Sequence, residues 1–255
     1  ALGAAYEKES ILQRLEQNLD DWPDRKDHKI NQDNIEKEAL ICFGYIEHNK
    51  ASTIKTFLSI DKYEIWNYRS KEDCNETVLH LSIKTKNIAI ISSILKYCNG
   101  KLSAEKFKQF INQKNDKGVV ALHYASFLGN VDIIKYLVNY GADIKALTNN
   151  DLNVIHYAAQ GNQPNSLVYF YLFHRDKVNL ESIDIGGSTA LHWASYSSAI
   201  EIAMYLINYG ADINKKDKNG NTPLHLAVIR NSYKIVQKLL QRGALNNIIN
   251  NDKKT

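Results

Sequence analysis

Apolar residues recur along the chain as paired helical stripes separated by polar turns. Within residues 217–246, Asp217, Asn219 and Gly220 supply a turn, and Thr222 and Pro223 open a helix where proline's missing N–H costs nothing. Leu224, Ala227 and Val228 follow at helical spacing. Ile235, Val236, Leu239 and Leu240 form a second apolar face, and Gly243 ends that helix in the left-handed conformation glycine tolerates. One such hairpin cannot bury both of its faces, so neighbours must stack on it.

The histidines expose the period: His80, His123, His156, His192 and His225 stand 43, 33, 36 and 33 residues apart. Around them run ETVLHLSI, VVALHYAS, LNVIHYAAQGN, GSTALHWAS and GNTPLHLAV, with YGADIK, YGADIN and RGALNN downstream. These segments resemble the ankyrin repeat, a unit of roughly 33 residues made of a turn, a helix opened by TPLH, a second helix and a Gly-Ala-Asp close. The expected fold is therefore an all-α ankyrin-repeat solenoid of about six repeats at 38–72, 73–115, 116–148, 149–183, 184–216 and 217–249, with a tail at 250–255. The 43-residue interval holds an extra segment in which Ser103 caps a short helix with Phe107, Phe110 and Ile111 on one face. The 36-residue interval places its extra residues near His174 to Glu181. Residues 1–37 are not repeat-like: Ile11, Leu12, Leu15 and Leu19 share a helical face that Trp22 and Pro23 end, which reads as an additional helix capping the first repeat. Ile248 and Ile249 precede the tail without a further helix pair, and a solenoid's last repeat normally has a polar outer face, so the chain is expected to be cut from a longer protein.

With 44% apolar and 24% charged residues the chain has ordinary globular composition. Its formal charge is +4, and because residues 1–38 hold ten acids against six bases, the positive balance lies in the remainder. No run of consecutive bases marks a nucleic-acid patch, and none is expected as a partner. Cys42, Cys74 and Cys98 show no paired spacing and sit at helix-like apolar positions, which reads as three buried thiols in a reducing, cytoplasmic setting. No apolar run reaches the ~18 residues a membrane helix needs, so direct membrane insertion is not expected.

Chemistry is sparse. The five repeat histidines fall about 10 Å apart in a row under this register, beyond the reach of one metal ion. Cys74 and His80 lack a readable third group or oxyanion site, and Gly186 and Gly187 lie in a repeat turn rather than in a phosphate-binding loop. No cofactor, metal or catalytic residue is expected in this chain. In the ankyrin family the repeat histidine and the Thr three residues before it close the turn by hydrogen bonds, a pattern met by Thr77/His80, Thr189/His192 and Thr222/His225, whereas Val120 and Asn153 stand where that Thr belongs before His123 and His156.

What remains is recognition. The residue after each histidine, and the one three further on, should look out from the first helix into a concave groove: Leu81 and Lys84, Tyr124 and Phe127, Tyr157 and Gln160, Trp193 and Tyr196, Leu226 and Ile229. Aromatic anchors carry a disproportionate share of interface energy, so Tyr124, Phe127, Tyr157, Trp193 and Tyr196 mark a groove for a protein or extended peptide, with the chain a monomer. Asp116, Lys117, Asn149, Asn150, Asp151, Lys216, Lys218 and Asn219 at the turn tips supply its polar rim.

VIHYAAQGNQPNSLVYFYL, followed by GSTALHWASYSSAIEIAMYLINYGADIN and DKNGNTPLHLAV, resembles the ankyrin region that precedes the catalytic domain of DHHC-type palmitoyltransferases. That resemblance implies a cytosolic array recruiting substrates by linear peptide motifs for a membrane S-acyltransferase, with Trp193 as a peptide anchor and Asn162 and Gln163 beside it as polar partners. No Asp-His-His-Cys sequence or zinc-ligating cysteine cluster occurs here, so acyl transfer would belong to other residues of a parent protein. The alternative is a stand-alone cytosolic scaffold or a regulatory inhibitor of a protein partner.

Overall fold

The computed structural model describes residues 42–59, 64–70 and 74–255; the helix expected within 1–37 and part of the first repeat lie outside the described residues. The chain divides into two compact units, one ending at Ser103 and one beginning at Ala104. The described residues are helical apart from one two-stranded hairpin.

In the first unit, residues 42–47 are helical and are followed by α1 (Ala51–Ser59), a 3-10 turn (Ile65–Asn67), β1 (Arg69–Ser70), β2 (Glu76–Thr77), α2 (Val78–Lys84) and α3 (Ile88–Lys101). β1 and β2 pair antiparallel with Arg69 opposite Thr77. α3 begins where the Asn87 side chain accepts the Ala89 N–H at 2.9 Å, satisfying a donor the helix itself cannot. It packs on both α1 and α2, burying Ile90, Ile91, Ile94 and Leu95. Cys42 and Cys98 are buried, and burial pushes both thiols far above their ordinary range. Cys74 is not a core thiol: it is half-buried in the hairpin turn, at φ 56°, with Asn75 following at φ 61°.

The second unit opens with α4 (Ala104–Ile111), which buries Phe107, Phe110 and Ile111 along one face as the spacing predicts. Four helix pairs follow: α5 (Ala121–Leu128) with α6 (Val131–Asn139), α7 (Val154–Gln160) with α8 (Pro164–Phe173), α9 (Ala190–Tyr196) with α10 (Ile200–Asn208), and α11 (Pro223–Ile229) with α12 (Tyr233–Gln241). The first helices form one layer, α5 on α7 on α9 on α11, and the second helices form another, α6 on α8 on α10 on α12. Small residues allow the close approach of the first layer: Ala125, Ala158, Ala194 and Ala227 are each wholly buried. The expected apolar face of the last pair is only half realised, since Leu224, Ala227, Ile235 and Leu239 are buried while Val228 and Leu240 are exposed.

Before each pair the backbone makes the same turn. Asn115, Thr148, Asp184 and Asp217 open the four turns, and each N–H donates to the carbonyl four residues on, Val119, Leu152, Ser188 and Asn221, at 2.9–3.1 Å. Their side-chain oxygens accept the N–H groups two and four residues ahead, so a short polar side chain substitutes for an absent ladder. The fourth residue is left-handed in every case: Gly118, Asp151, Gly187 and Gly220 at φ 73°, 59°, 78° and 74°. Successive turns are joined by a main-chain bond, Asn149 N–H to Lys117 C=O, Ile185 to Asn150 and Lys218 to Gly186. This close approach leaves no space for a side chain at Gly187, where a Cβ would stand 2.9 Å from the Lys218 nitrogen.

The repeat histidines tie the turn to the helix and one repeat to the next. At Nδ1, His123, His156, His192 and His225 accept the backbone N–H three residues earlier at 3.1–3.2 Å. At Nε2, His156 and His192 reach carbonyls of the following repeat, Ser188 and Asn221, His225 reaches Lys254 in the tail, and His123 reaches Ala146 at the end of its own repeat, all at 3.1–3.2 Å. A carbonyl only accepts, so Nε2 carries the proton and the neutral ring is the bonded form. The hydroxyls of Thr189 and Thr222 donate to the same Nδ1 atoms, at 2.9 and 2.8 Å. Val120 and Asn153 keep the main-chain bond without a hydroxyl, which shows that the tie depends on the backbone and not on the threonine.

Burial lowers the pKa of His156 and His192, outweighing the carbonyl bonds and the nearby Asp184 and Asp217 carboxylates. Both groups bind protons more weakly folded than unfolded, so the stability they contribute is present above the unfolded value of about 6.5 and is lost as pH falls through the folded one. The urea midpoint of the chain is therefore expected to hold between pH 8 and 7 and to decline steadily from about pH 6.5 downward; a midpoint that rises on acidification over that window would contradict the neutral-ring assignment.

Candidate functional site

The expected recognition residues divide by register into two rows on the first-helix layer. Tyr124, Tyr157, Trp193 and Leu226, directly after the histidines, are half-buried. Phe127, Gln160, Tyr196 and Ile229, one helical turn on, are exposed. In the first unit the pair splits differently, with Leu81 buried and Lys84 exposed and bonded to the buried Glu76 carboxylate at 2.6 Å.

The half-buried row is committed to the framework along one edge of each ring. The Tyr157 ring lies 4.9 Å, centroid to centroid, from the His123 ring of the preceding repeat, and burial raises its phenol pKa. Trp193 donates its Nε1–H to Asp184 Oδ2 at 2.9 Å. The other oxygen of Asp184 accepts the Gly186 and Ser188 N–H groups, both at 2.8 Å, so one buried carboxylate closes the turn and fixes the indole over it. Asp184 escaped sequence reasoning, although its place 33 residues before Asp217 was a usable signal.

Tyr196 is held from the following repeat. The Arg230 guanidinium lies 4.8 Å over its ring, and Arg230 Nε donates to the Tyr196 carbonyl at 3.0 Å. Arg230 was also missed, because nothing in a linear pattern pairs residues one repeat and one position apart. At the turn, Ile183 and Ile185 flank Asp184 and are both exposed.

Asn162 and Gln163 are placed elsewhere. They form the connection between α7 and α8, where Asn162 adopts φ 49° and accepts the Ile202 N–H of the next repeat's second helix at 3.4 Å. Gln163 donates to the Gly161 carbonyl at 2.8 Å and lies so close to Gly129 of the preceding repeat that a Cβ there would collide with it. Both side chains therefore lock helix connections, with partners other than Trp193. Several turn-tip residues are likewise engaged: Asn149 donates to the Asp116 carbonyl at 2.8 Å, and Lys216 to that of Ile249 at 3.3 Å. Among the described residues no group of three or more His, Cys, Asp or Glu side chains could hold a metal ion, and no helix is long and apolar enough to cross a membrane.

The family description for ankyrin repeats in three copies matches residues 42–148 and again 155–250. The chain belongs to the ankyrin-repeat family. Ankyrin arrays are protein-binding modules, and the described ankyrin pairs present what such a role requires: a rigid helical layer carrying exposed aromatic and aliphatic side chains. Among relatives, the chain is 29% identical over 133 residues to the palmitoyltransferase AKR1 of Lachancea kluyveri, covering 52% of this chain and 18% of that one. It is 33% identical over 178 residues to the B-cell lymphoma 3 protein homolog of Mus musculus, covering 69% of this chain and 38% of that protein. It is 26% identical over 204 residues to the nuclear factor NF-kappa-B p105 subunit of Gallus gallus, covering 79% of this chain and 20% of that protein. The chain thus spans well under half the length of these relatives.

The Asp184 arrangement makes a graded prediction for this ankyrin array. Trp193→Phe removes one donor and leaves Asp184 Oδ2 unpaired, which is expected to cost about 1–2 kcal/mol. Asp184→Ala also strips the Gly186 and Ser188 N–H groups and is expected to cost about 1 kcal/mol more. Urea denaturation of the two variants tests the order; equal losses would show that the carboxylate does not organise the turn.

Proposed function

We propose that the first-helix layer of the second unit binds an extended peptide, with the exposed flanks of Tyr157 and Trp193 and the open rings of Phe127 and Tyr196 as its contacts. The observation that carries this reading is the fixed presentation of Trp193: its indole is half-exposed, yet its N–H is already bonded to Asp184, so its orientation is set before a ligand arrives. An anchor held this way loses little side-chain entropy on binding, which favours affinity. Tyr124 joins the row by register, and Gln160 stands at the polar position between Phe127 and Tyr196.

We further propose that the array is the substrate-recruiting arm of a palmitoyltransferase. The similarity to the Lachancea kluyveri enzyme supports this. The catalytic function would reside in a part of the protein beyond these repeats. A second reading, a cytosolic scaffold or regulator that grips a folded partner, is favoured by the longer match to the mouse B-cell lymphoma 3 homolog.

A displayed library of unstructured peptides, followed by titration of the selected peptide, tests the proposal and separates the readings. A short motif should be enriched; Trp193→Ala should weaken its binding by about 2 kcal/mol, roughly thirtyfold, while Trp193→Phe, which keeps an aromatic face, should weaken it less. Failure to enrich any peptide, together with capture of a folded domain whose binding ignores Trp193, would replace the peptide reading with the scaffold.

A further inference from the structure

Positive charge is unevenly divided among the helix pairs. Residues 116–148 hold three Lys or Arg and three Asp or Glu, and 149–183 and 184–216 each hold two of the former and three of the latter. Residues 217–249 hold five bases, Lys218, Arg230, Lys234, Lys238 and Arg242, and one acid. That acid, Asp217, is spent inside its own turn, where Oδ1 accepts the Asn219 and Asn221 N–H groups at 2.9 and 2.8 Å. Among the described residues no carboxylate pairs with any of the five bases. Arg242 instead donates to the Asn208 side-chain oxygen at 2.7 Å.

The fold itself gives Lys234 no reason to be a cation. It is the second residue of α12, the position of Asp132 in α6 and Glu201 in α10. The partial positive charge at a helix start favours those carboxylates and disfavours an ammonium, and Lys238 adds a like charge four residues on. Lys238 and Arg242, near the end of the same helix, suit its dipole, so the cost lies with Lys234.

Arg230 is fixed without being paired. Its Nε donates to the Tyr196 carbonyl at 3.0 Å and its guanidinium lies 4.8 Å over the Tyr196 ring, while Nη1 and Nη2 have no partner among the described residues. A guanidinium held in this way presents its remaining N–H donors as a fixed fork, the geometry that matches a carboxylate. Arg230 directly follows α11 and Lys234 stands four residues on, across the connection to α12, so both belong to the end of the pair at which Arg230 meets Tyr196.

We propose that the peptide bound along the first-helix layer carries acidic side chains beside the residue that rests on Tyr196, and that Arg230 and Lys234 receive their carboxylates. The proposal rests on the peptide reading above and adds the charge of the ligand and the end of the groove at which that charge sits. Charge complementarity selects an acidic occupant. The attachment of Arg230 to an aromatic ring of the groove selects a peptide already seated there over an anionic surface meeting scattered bases.

The test uses the 255-residue chain and peptides enriched from the displayed library, which should carry Asp or Glu next to their apolar anchor. Replacing the glutamate of a selected peptide by glutamine should weaken binding about fivefold, the size of an exposed ion pair. Arg230→Gln should weaken the acidic peptide to the same extent and abolish the difference between the two peptides, a coupling that loss of a merely structural contact would not produce. Lys234→Gln should act in the same direction. Raising the ionic strength from about 0.01 M to about 0.15 M, which shortens the screening length from ~30 to ~8 Å, should shrink the preference. Arg175→Gln is the control: that guanidinium also lies over a tyrosine ring, 4.9 Å from the centre of Tyr171 on the second-helix layer, and its loss should leave both affinities unchanged. Enriched peptides that depend on Trp193 but lack acidic residues, or that keep their preference for glutamate in Arg230→Gln, would overturn the proposal and leave the groove reading standing. Failure to enrich any peptide would overturn both. Binding to phosphatidylserine vesicles that Arg230→Gln and Lys234→Gln abolish, with no acidic preference among peptides, would assign these bases to a membrane surface instead.

Discussion

The neutral imidazole buried at the start of each first helix is the interaction on which the rest of the second unit depends. Its two nitrogens do opposite jobs: Nδ1 takes a main-chain N–H that the helix start leaves without a partner, and Nε2–H reaches the carbonyl of the following repeat. A Ser or Asn at the cap satisfies only the first requirement, because its side chain is too short to cross to the next turn. The same ring therefore terminates one structural problem and begins the next. Three Thr, one Val and one Asn precede the five histidines, and the main-chain bond to Nδ1 survives every change.

Because the histidines and the turn-to-turn bonds fix the spacing of repeats, the recognition face inherits its geometry from them. Tyr157 rests on the very ring that ties its predecessor down, and Trp193 hangs from the carboxylate that closes its own turn. The side chains proposed to bind and the structural side chains are thus the same residues seen from two edges. One flank of the Tyr157 and Trp193 rings is packed and the other faces solvent.

The fold was legible from sequence because repetition makes every inference self-checking. A helix start suggested by Thr222 and Pro223 gains support from Thr189, and a turn suggested by Gly220 gains it from Gly187 and Gly118. Side-chain pairing across repeats was not legible in the same way. Asp184 and Trp193 are nine residues apart within one unit, and Tyr196 and Arg230 lie 34 apart, a spacing that slips one position from the period. The placement of Asn162 and Gln163 beside Trp193 rested on resemblance alone. They lie six and seven residues beyond His156, just past the first helix, where the chain must reverse, and their side chains bond there to the Ile202 N–H and the Gly161 carbonyl. Cys74 departs from the buried-thiol expectation because it lies in a hairpin turn among polar residues, Asp73 before it and Asn75 after it, and not in a helix.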